Sequence, residues 1–203
     1  MQPIILASAS PYKKMLIDRL GISFSCCAPD IDENPVSGES ATALAQRLAE
    51  EKAQCIAHRF PQSVVIGADQ VAAMDGEILG KPGTHQRAAA QLKAQSGRTV
   101  LFHSGISLVR YTEGKLEQQS RVNSTEVHFR QLSDQQIEHY LNIDKPYDCA
   151  GSFKAEALGI SLFSSVNSND PSSLIGLPLI DLCSMLAEWN ININYMTIFR
   201  KTF

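Results

Sequence analysis

Strand signals and helix signals alternate along this chain, and that alternation constrains the fold more than any other feature. Pro3 to Ala7 reads as a short buried strand that runs into Ser8-Ala9-Ser10-Pro11 and then into a helical pattern through Met15, Leu16 and Leu20. Ser10 suits the N-cap, Pro11 the first helical position and Gly21 the C-terminal cap. Ser23 to Ala28 reads as a second strand. Pro29 to Pro35 is a loop, because two prolines bracket Asp30, Asp32 and Glu33. Ala41 to Arg59 sets Leu44, Leu48 and Ile56 on one face of a long helix. Val64-Val65-Ile66 is a buried-strand signal running into Gly67-Ala68-Asp69, and Asp75-Gly76 is a hairpin turn. Gln86 to Ala94 looks helical. Val100 to Tyr111 and Asn123 to Phe129 read as longer strands around a turn at Gly114. Asp134 to Leu141 is a short helix, Lys145 to Ser152 is irregular, Ile160 to Phe163 is a strand signal, and Leu179 to Trp189 closes with a helix. The tail from Asn190 carries no assignment. Strands alternating with helices predict an α/β fold.

Composition then limits what such a fold can serve. The 203 residues fit one large domain or two small lobes sharing a core, and an apolar share of 44% is enough to fill it. A net charge of -3, with both signs spread along the chain, leaves no basic stripe for a nucleic-acid polymer. A small anionic substrate needs only a few local lysines. No apolar run approaches bilayer length, and the N-terminus lacks the basic segment and apolar core of a signal peptide. The five cysteines, Cys26, Cys27, Cys55, Cys149 and Cys183, are odd in number and match neither a disulfide framework nor a zinc site. They read as small core residues with reduced thiols, and the expected compartment is the cytosol.

The chemistry concentrates at a few positions. A strand running into a serine-rich turn and a helix start offers unpaired N–H groups and positive dipole character, which suit phosphate. Ser8 and Ser10 add hydroxyls there, and Lys13 and Lys14 add cations; an ordinary helix cap with two exposed lysines is the alternative. Lys52 lies four residues from both Leu48 and Ile56, on or beside the apolar stripe of its helix. A lysine there either snorkels to solvent or is aimed into a cleft. Asp69 reads as closing a buried strand, where ligands collect in open α/β sheets. It either holds a metal or orients a water, or it simply forms a turn. Glu33, in the acidic loop, offers hard oxygen for a divalent cation. Lys81, in a loop bounded by Gly80 and Pro82-Gly83, is either a phosphate contact or a surface charge. The five histidines have no metal-ligand spacing, and no Walker loop, dinucleotide glycine fingerprint or nucleophile elbow is present.

Taken together, these segments resemble the Maf-type nucleotide pyrophosphatases. The resemblance rests on Leu6-Ala7-Ser8-Ala9-Ser10-Pro11, Asp32-Glu33, Lys52-Ala53, Ile66-Gly67-Ala68-Asp69 and Leu79-Gly80-Lys81-Pro82. Cys149-Ala150-Gly151-Ser152-Phe153-Lys154 and Gly176-Leu177-Pro178-Leu179 continue it, so that it runs from about residue 4 to 188. It implies a twisted mixed sheet flanked by helices, in two lobes around a substrate cleft, as a single domain over 1–203 that is usually a homodimer. It also implies hydrolysis between the α- and β-phosphates of a nucleoside triphosphate with Mg²⁺ or Mn²⁺. Asp69 matches the base, Glu33 the metal-side carboxylate, and Ser8, Lys13, Lys52 and Lys81 the phosphate-contacting positions.

Within that family the chain resembles the 7-methyl-GTP branch, on Tyr12, Gln70 and Glu156. The branch acting on dTTP, UTP or CTP typically has Arg after Ser-Pro, Thr after the base and Gln at the last position. The 7-methyl-GTP branch commonly has Trp where Tyr12 stands and Arg where Lys13 and Lys14 stand. The chemistry points the same way. A 7-methylated guanine is cationic and is attracted to an aromatic face. A Glu156 carboxylate accepts both N1–H and N2–H of the base edge, and Gln70 reads a remaining donor or acceptor. A pyrimidine-nucleotide pyrophosphatase and a nucleotide-binding regulator of cell division are the competing expectations.

Overall fold

The computed structural model describes residues 2–193. Among these, seven strands form one mixed sheet, and five α-helices flank it. In chain order the strands are β1 (Ile4–Ala7), β2 (Ser25–Cys26), β3 (Val64–Met74), β4 (Glu77–Leu79), β5 (Thr99–Thr112), β6 (Lys115–Phe129) and β7 (Phe163–Asn167). The helices are α1 (Pro11–Asp18), α2 (Ala41–Arg59), α3 (His85–Gln95), α4 (Asp134–Asp144) and α5 (Leu179–Glu188). The spatial order is β2-β1-β3-β5-β6-β7, with β4 also paired to β3. β1 is parallel to β2 and β3, whereas the remaining pairings are antiparallel.

The edge of β3 facing β1 is shared between two short partners. β1 pairs with its first part, as far as Ala7 opposite Gly67, and β4 with its last part, from Ala72 onward. Ala68, Asp69, Gln70 and Val71 are left between them with no strand on that edge. The other edge is uninterrupted, and β5 pairs with β3 from Val65 through Ala73. The result is a notch in one side of a continuous ladder. Asp69 therefore stands inside a long strand and not at its carboxyl end, as the sequence suggests. It does lie just beyond the carboxyl end of the parallel β1, which is where ligands gather in such sheets.

Strand alternation sends the residues of β3 to two faces. Val65, Val71 and Ala73 pack against α2. This helix buries Ala45, Leu48, Ala49, Ala53, Ile56 and Ala57, so its contact face is mostly small. The strands supply glycine beneath it. A Cβ on Gly67 would lie 2.1 Å from the Ala49 carbonyl oxygen, and one on Gly105 would lie 2.1 Å from that of Ala45. No side chain fits there, so helix and sheet approach backbone to backbone.

The opposite face carries two separate cores. The first joins Ile66 and Ala68 to Leu16 and Ile17 of α1 and to Leu182, Met185 and Leu186 of α5. The second joins Ala72 and Phe102 to α3, α4 and an edge-to-face set of rings, with Phe153 centroids 5.0 Å from Phe102 and 4.7 Å from Phe163. Such pairs stabilise by roughly 0.5–1.5 kcal/mol beyond their area.

Two expectations are corrected. The strand signal Ile160 to Phe163 is not a strand at its start. Residues 158–162 form a 3-10 turn, and β7 begins only at Phe163. Gly159 presses against the backbone of Lys154, with room for no Cβ, so the chain turns there instead of extending. The cysteines are not core residues either: Cys26 is exposed and the other four are only partly covered. Cys26 lies in β2, a two-residue strand with both residues exposed that pairs with β1 only at Ile5 and Leu6, so the expected longer strand is cut to Ser25–Cys26.

Candidate functional site

The start of the site is built by the turn between β1 and α1. Ser10 caps α1 by accepting from the Lys13 amide, and Pro11 occupies the first turn. Ser8 is buried, and its hydroxyl accepts from the Ser10 amide. One turn into α1, the Lys13 ammonium donates to the Ala68 carbonyl at 2.7 Å, a group that the notch leaves without a strand partner. Lys14 points the other way, to Asp18 on the surface at 2.7 Å. Of the two lysines, only Lys13 enters the site.

Lys52 does not snorkel. It is 7% exposed, and its ammonium lies 2.6 Å from Asp69 Oδ1 and 2.5 Å from Glu33 Oε1. The glycine-floored contact of α2 brings it there, because a helix held further from the sheet would not reach. Lys13 approaches the same Oδ1 at 3.9 Å. Both cations thus gather on one oxygen of Asp69. Among the described residues Oδ2 has no hydrogen-bond partner. Burial pulls the Lys13 ammonium down to about 8, against the Asp69 charge and with Lys52 adding to the fall. For Lys52 burial also lowers the pKa, but the Asp69 charge and the bonds to Asp69 and Glu33 outweigh it, so the net shift is upward.

Glu33 is held from behind. Arg47 of α2 donates twice to Glu39, at 2.7 and 2.8 Å, and also to the Asn34 carbonyl at 3.0 Å. That fork on the Glu39 carboxylate, with the Val36 amide, holds its pKa down at about 2. The acidic loop is thereby fastened to the helix that carries Lys52. Glu33 and Asp69 both reach one point occupied by a lysine nitrogen, so they converge well enough to share a cation. Among the described residues no cluster of three or more His, Cys, Asp or Glu side chains is placed to hold a metal ion. A divalent ion at Glu33 and Asp69 would take its remaining ligands from water and a bound phosphate, the usual habit of Mg²⁺.

A cleft of about 470 Å³ opens at the notch, within the usual size range of small-molecule sites. Ser8, Ser10, Tyr12, Lys13, Glu33, Lys52, Asp69, Gln70, Lys81 and Glu156 all line it. Lys81 sits exposed on the rim, and so does Glu156, which lies in a turn. Tyr12 is half-buried, its phenol pKa raised mainly by burial against the opposing charge of the nearby Lys154 ammonium, which donates to the Asp144 carbonyl at 3.0 Å. Gln70 is more committed than the sequence suggests. Its amide nitrogen donates to Ser104 Oγ and to the carbonyls of Ser173 and Leu174 at 3.1, 2.9 and 3.0 Å. Only its carbonyl oxygen remains for a ligand, so it reads as an acceptor.

Sequence reasoning missed Lys154, Asp148, Cys149 and Ile175, which also line the cleft. Cys149 and Lys154 belong to the segment 149–154 that carries the family resemblance, which is the available signal, whereas Asp148 and Ile175 only adjoin the segments 149–154 and 176–179. Burial first, and the Asp148 charge second, push the Cys149 thiol up to about 12. It is therefore not a nucleophile at neutral pH.

The chain matches the family described as Maf-like protein over residues 3–189. It is 48% identical over 185 residues to a 7-methyl-GTP pyrophosphatase of Polaromonas sp. (strain JS666), covering 91% of this chain and 84% of that protein. It is 49% identical over 185 residues to a 7-methyl-GTP pyrophosphatase of Nitrosococcus oceani, covering 91% of this chain and 92% of that one.

Proposed function

Because the chain belongs to the Maf-like protein family, we propose that it hydrolyses 7-methyl-GTP to 7-methyl-GMP and pyrophosphate, and so removes a modified nucleotide. The observation that carries this reading is the gathering of Lys13 and Lys52 on one oxygen of Asp69, a cleft-lining residue, with no hydrogen-bond partner on the other oxygen among the described residues. That arrangement suits a base held in place by cations that also attract phosphate.

In the reaction, the free oxygen of Asp69 takes a proton from a water molecule as the water oxygen bonds to the α-phosphorus. The bond from the α-phosphorus to the bridging oxygen breaks, and pyrophosphate leaves with the electron pair. Lys13, Lys52 and Lys81, with the start of α1 beyond Ser8 and Ser10, neutralise the charge that builds on the phosphates. Glu33 and Asp69 would hold Mg²⁺ or Mn²⁺, which when bound supplies further positive charge to the same oxygens. At the other end of the cleft, Tyr12 offers its ring to the cationic base, Glu156 accepts from the base edge, and Gln70 accepts a further donor. We extend the proposal to one catalytic domain over the whole chain, acting as a homodimer in the cytoplasm. In keeping with that, no described helix is long and apolar enough to cross a membrane.

The test measures pyrophosphate and nucleoside monophosphate from 7-methyl-GTP, GTP, dTTP, UTP and CTP, with and without a chelator. Turnover is expected to be fastest on 7-methyl-GTP and to vanish on chelation. Asp69→Asn keeps the shape of the side chain but not its basicity, and should cost about 10²–10⁴-fold. Faster cleavage of a pyrimidine triphosphate would overturn the substrate and leave the reaction standing. Binding without turnover of any of them would favour the regulator.

A further inference from the structure

Helix α3 lies behind two loops that contribute Lys81, Lys154 and Glu156 to the cleft, and is anchored in the second core by Ala88 and Leu92. One turn apart on this helix, Gln91 and Gln95 face those loops. Gln95 donates to the Gly151 carbonyl at 3.1 Å. Gln91 does two things at once. Its amide nitrogen donates to the Gly80 carbonyl at 3.0 Å, and its carbonyl oxygen accepts from the Ser152 hydroxyl. Gly80 adjoins Lys81, and Ser152 lies two residues before Lys154 and four before Glu156. Among the described residues, no other side chain is hydrogen-bonded to both loops.

We infer that Gln91 is a positioning residue that ties the Lys81 loop to the loop carrying Lys154 and Glu156, setting the phosphate end and the base end of the cleft in register. Lys81 needs such help. It is exposed, forms no ion pair among the described residues, and stands in a loop where Gly83 has a positive φ of 71°. The loop is pinned at two points. The Gly83 amide donates to the Tyr147 carbonyl at 2.9 Å, and Gln91 holds the Gly80 end. Without Gln91, the lysine would be placed from one side only. The base-end loop would still keep Gln95 on Gly151 and the Tyr140 hydroxyl under the Lys154 amide. The larger loss therefore falls on Lys81. The inference rests on the reading of Lys81 as a phosphate contact.

The experiment is a double-mutant cycle on the full chain, following pyrophosphate release from 7-methyl-GTP and from GTP. Gln91→Ala should lower kcat about 10- to 100-fold, the scale of an ångström-sized misplacement, with thermal unfolding little changed. In a Lys81→Ala background the same substitution should cost less than about twofold, since interacting residues are not additive. Gln91→Glu keeps the acceptor for Ser152 but turns an oxygen toward the Gly80 carbonyl. It should lower kcat nearly as far while leaving the ratio of 7-methyl-GTP to GTP cleavage as in the unaltered chain. Full additivity of Gln91→Ala with a damaging Lys81→Ala would overturn the tether alone. A Lys81→Ala chain with unaltered turnover would overturn the phosphate role of Lys81, and the tether with it.

Discussion

Lys13 is the residue whose environment most exceeds what its sequence position suggests. A lysine in the first turn of a helix is ordinarily exposed, yet this one reaches across the notch to the Ala68 carbonyl, and its side chain is only 12% exposed. Its pKa of about 8 has two consequences of opposite sense. Between about pH 8 and its ordinary value of 10.5, the unfolded chain binds more protons than the folded one. This group's contribution to stability therefore rises with pH across that window. The proposed phosphate contact runs the other way, because the Lys13 cation disappears as pH rises through about 8. The alkaline limb of kcat/KM reports groups of the free enzyme, and it should fall about tenfold per pH unit above that point. Lys13→Arg should carry the limb to higher pH, since arginine stays charged. The base of 7-methyl-GTP also titrates, but its limb would not move with the substitution. An alkaline limb that is the same in both chains would show that Lys13 is not the group responsible.

At the scale of elements, the placing of Lys52 depends on how closely α2 lies against the sheet. Gly67→Ala would drive a Cβ into the Ala49 carbonyl, and the helix would have to move. Overpacking of this kind typically costs about 1–3 kcal/mol. The expected result is a lower melting temperature, together with a loss of turnover larger than the fraction unfolded explains. Unchanged turnover would mean that Lys52 does not need this spacing. The sequence reveals α2 well, because its period is strong and Lys52 visibly interrupts an apolar stripe. It does not reveal the glycine floor, since Gly67 and Gly105 belong to different strands and only tertiary pairing brings them under one helix. The same limit explains Asp69. Val64 to Ile66 announces a strand, but its continuation from Ala68 to Val71 is held by β5 alone, a partner distant in sequence. For Ile160 to Phe163 a strand signal was visible, but not the pressure of Gly159 on Lys154 that turns it. For Tyr12, Gln70 and Glu156, sequence supplied the set and the structure supplied their shared cleft. The commitment of the Gln70 amide nitrogen could not be read in advance, because its partners are backbone carbonyls around position 173.

At the scale of the whole molecule, the cleft lining holds the cations Lys13, Lys52 and Lys81 together with Tyr12, Glu156 and the neighbouring Lys154. Anionic phosphates match the first three, and a cationic base matches the ring and carboxylate, with the Lys154 charge opposing it. 7-Methyl-GTP and GTP differ in ring charge, so the preference between them measures the Tyr12 and Glu156 end alone. A cation–π contribution of about 0.5–2 kcal/mol, at roughly 1.4 kcal/mol per tenfold, predicts a preference of about 2- to 30-fold in kcat/KM, to which attraction of the cationic ring to the Glu156 carboxylate adds. Tyr12→Ala and Glu156→Gln should each reduce it, and equal rates on the two nucleotides in the unaltered chain would remove the charge-matching argument. The notch itself has a mechanical consequence. A site between two cores invites the picture of two bodies closing on a hinge, but the β3–β5 ladder passes from one core to the other without a break. Opening the cores independently would mean unzipping that ladder. Backbone amides of β3 and β5 that bond across the ladder on either side of Asp69 should therefore exchange with deuterium at a common free energy of opening. A chain whose two halves exchanged at clearly different free energies would be a hinge after all.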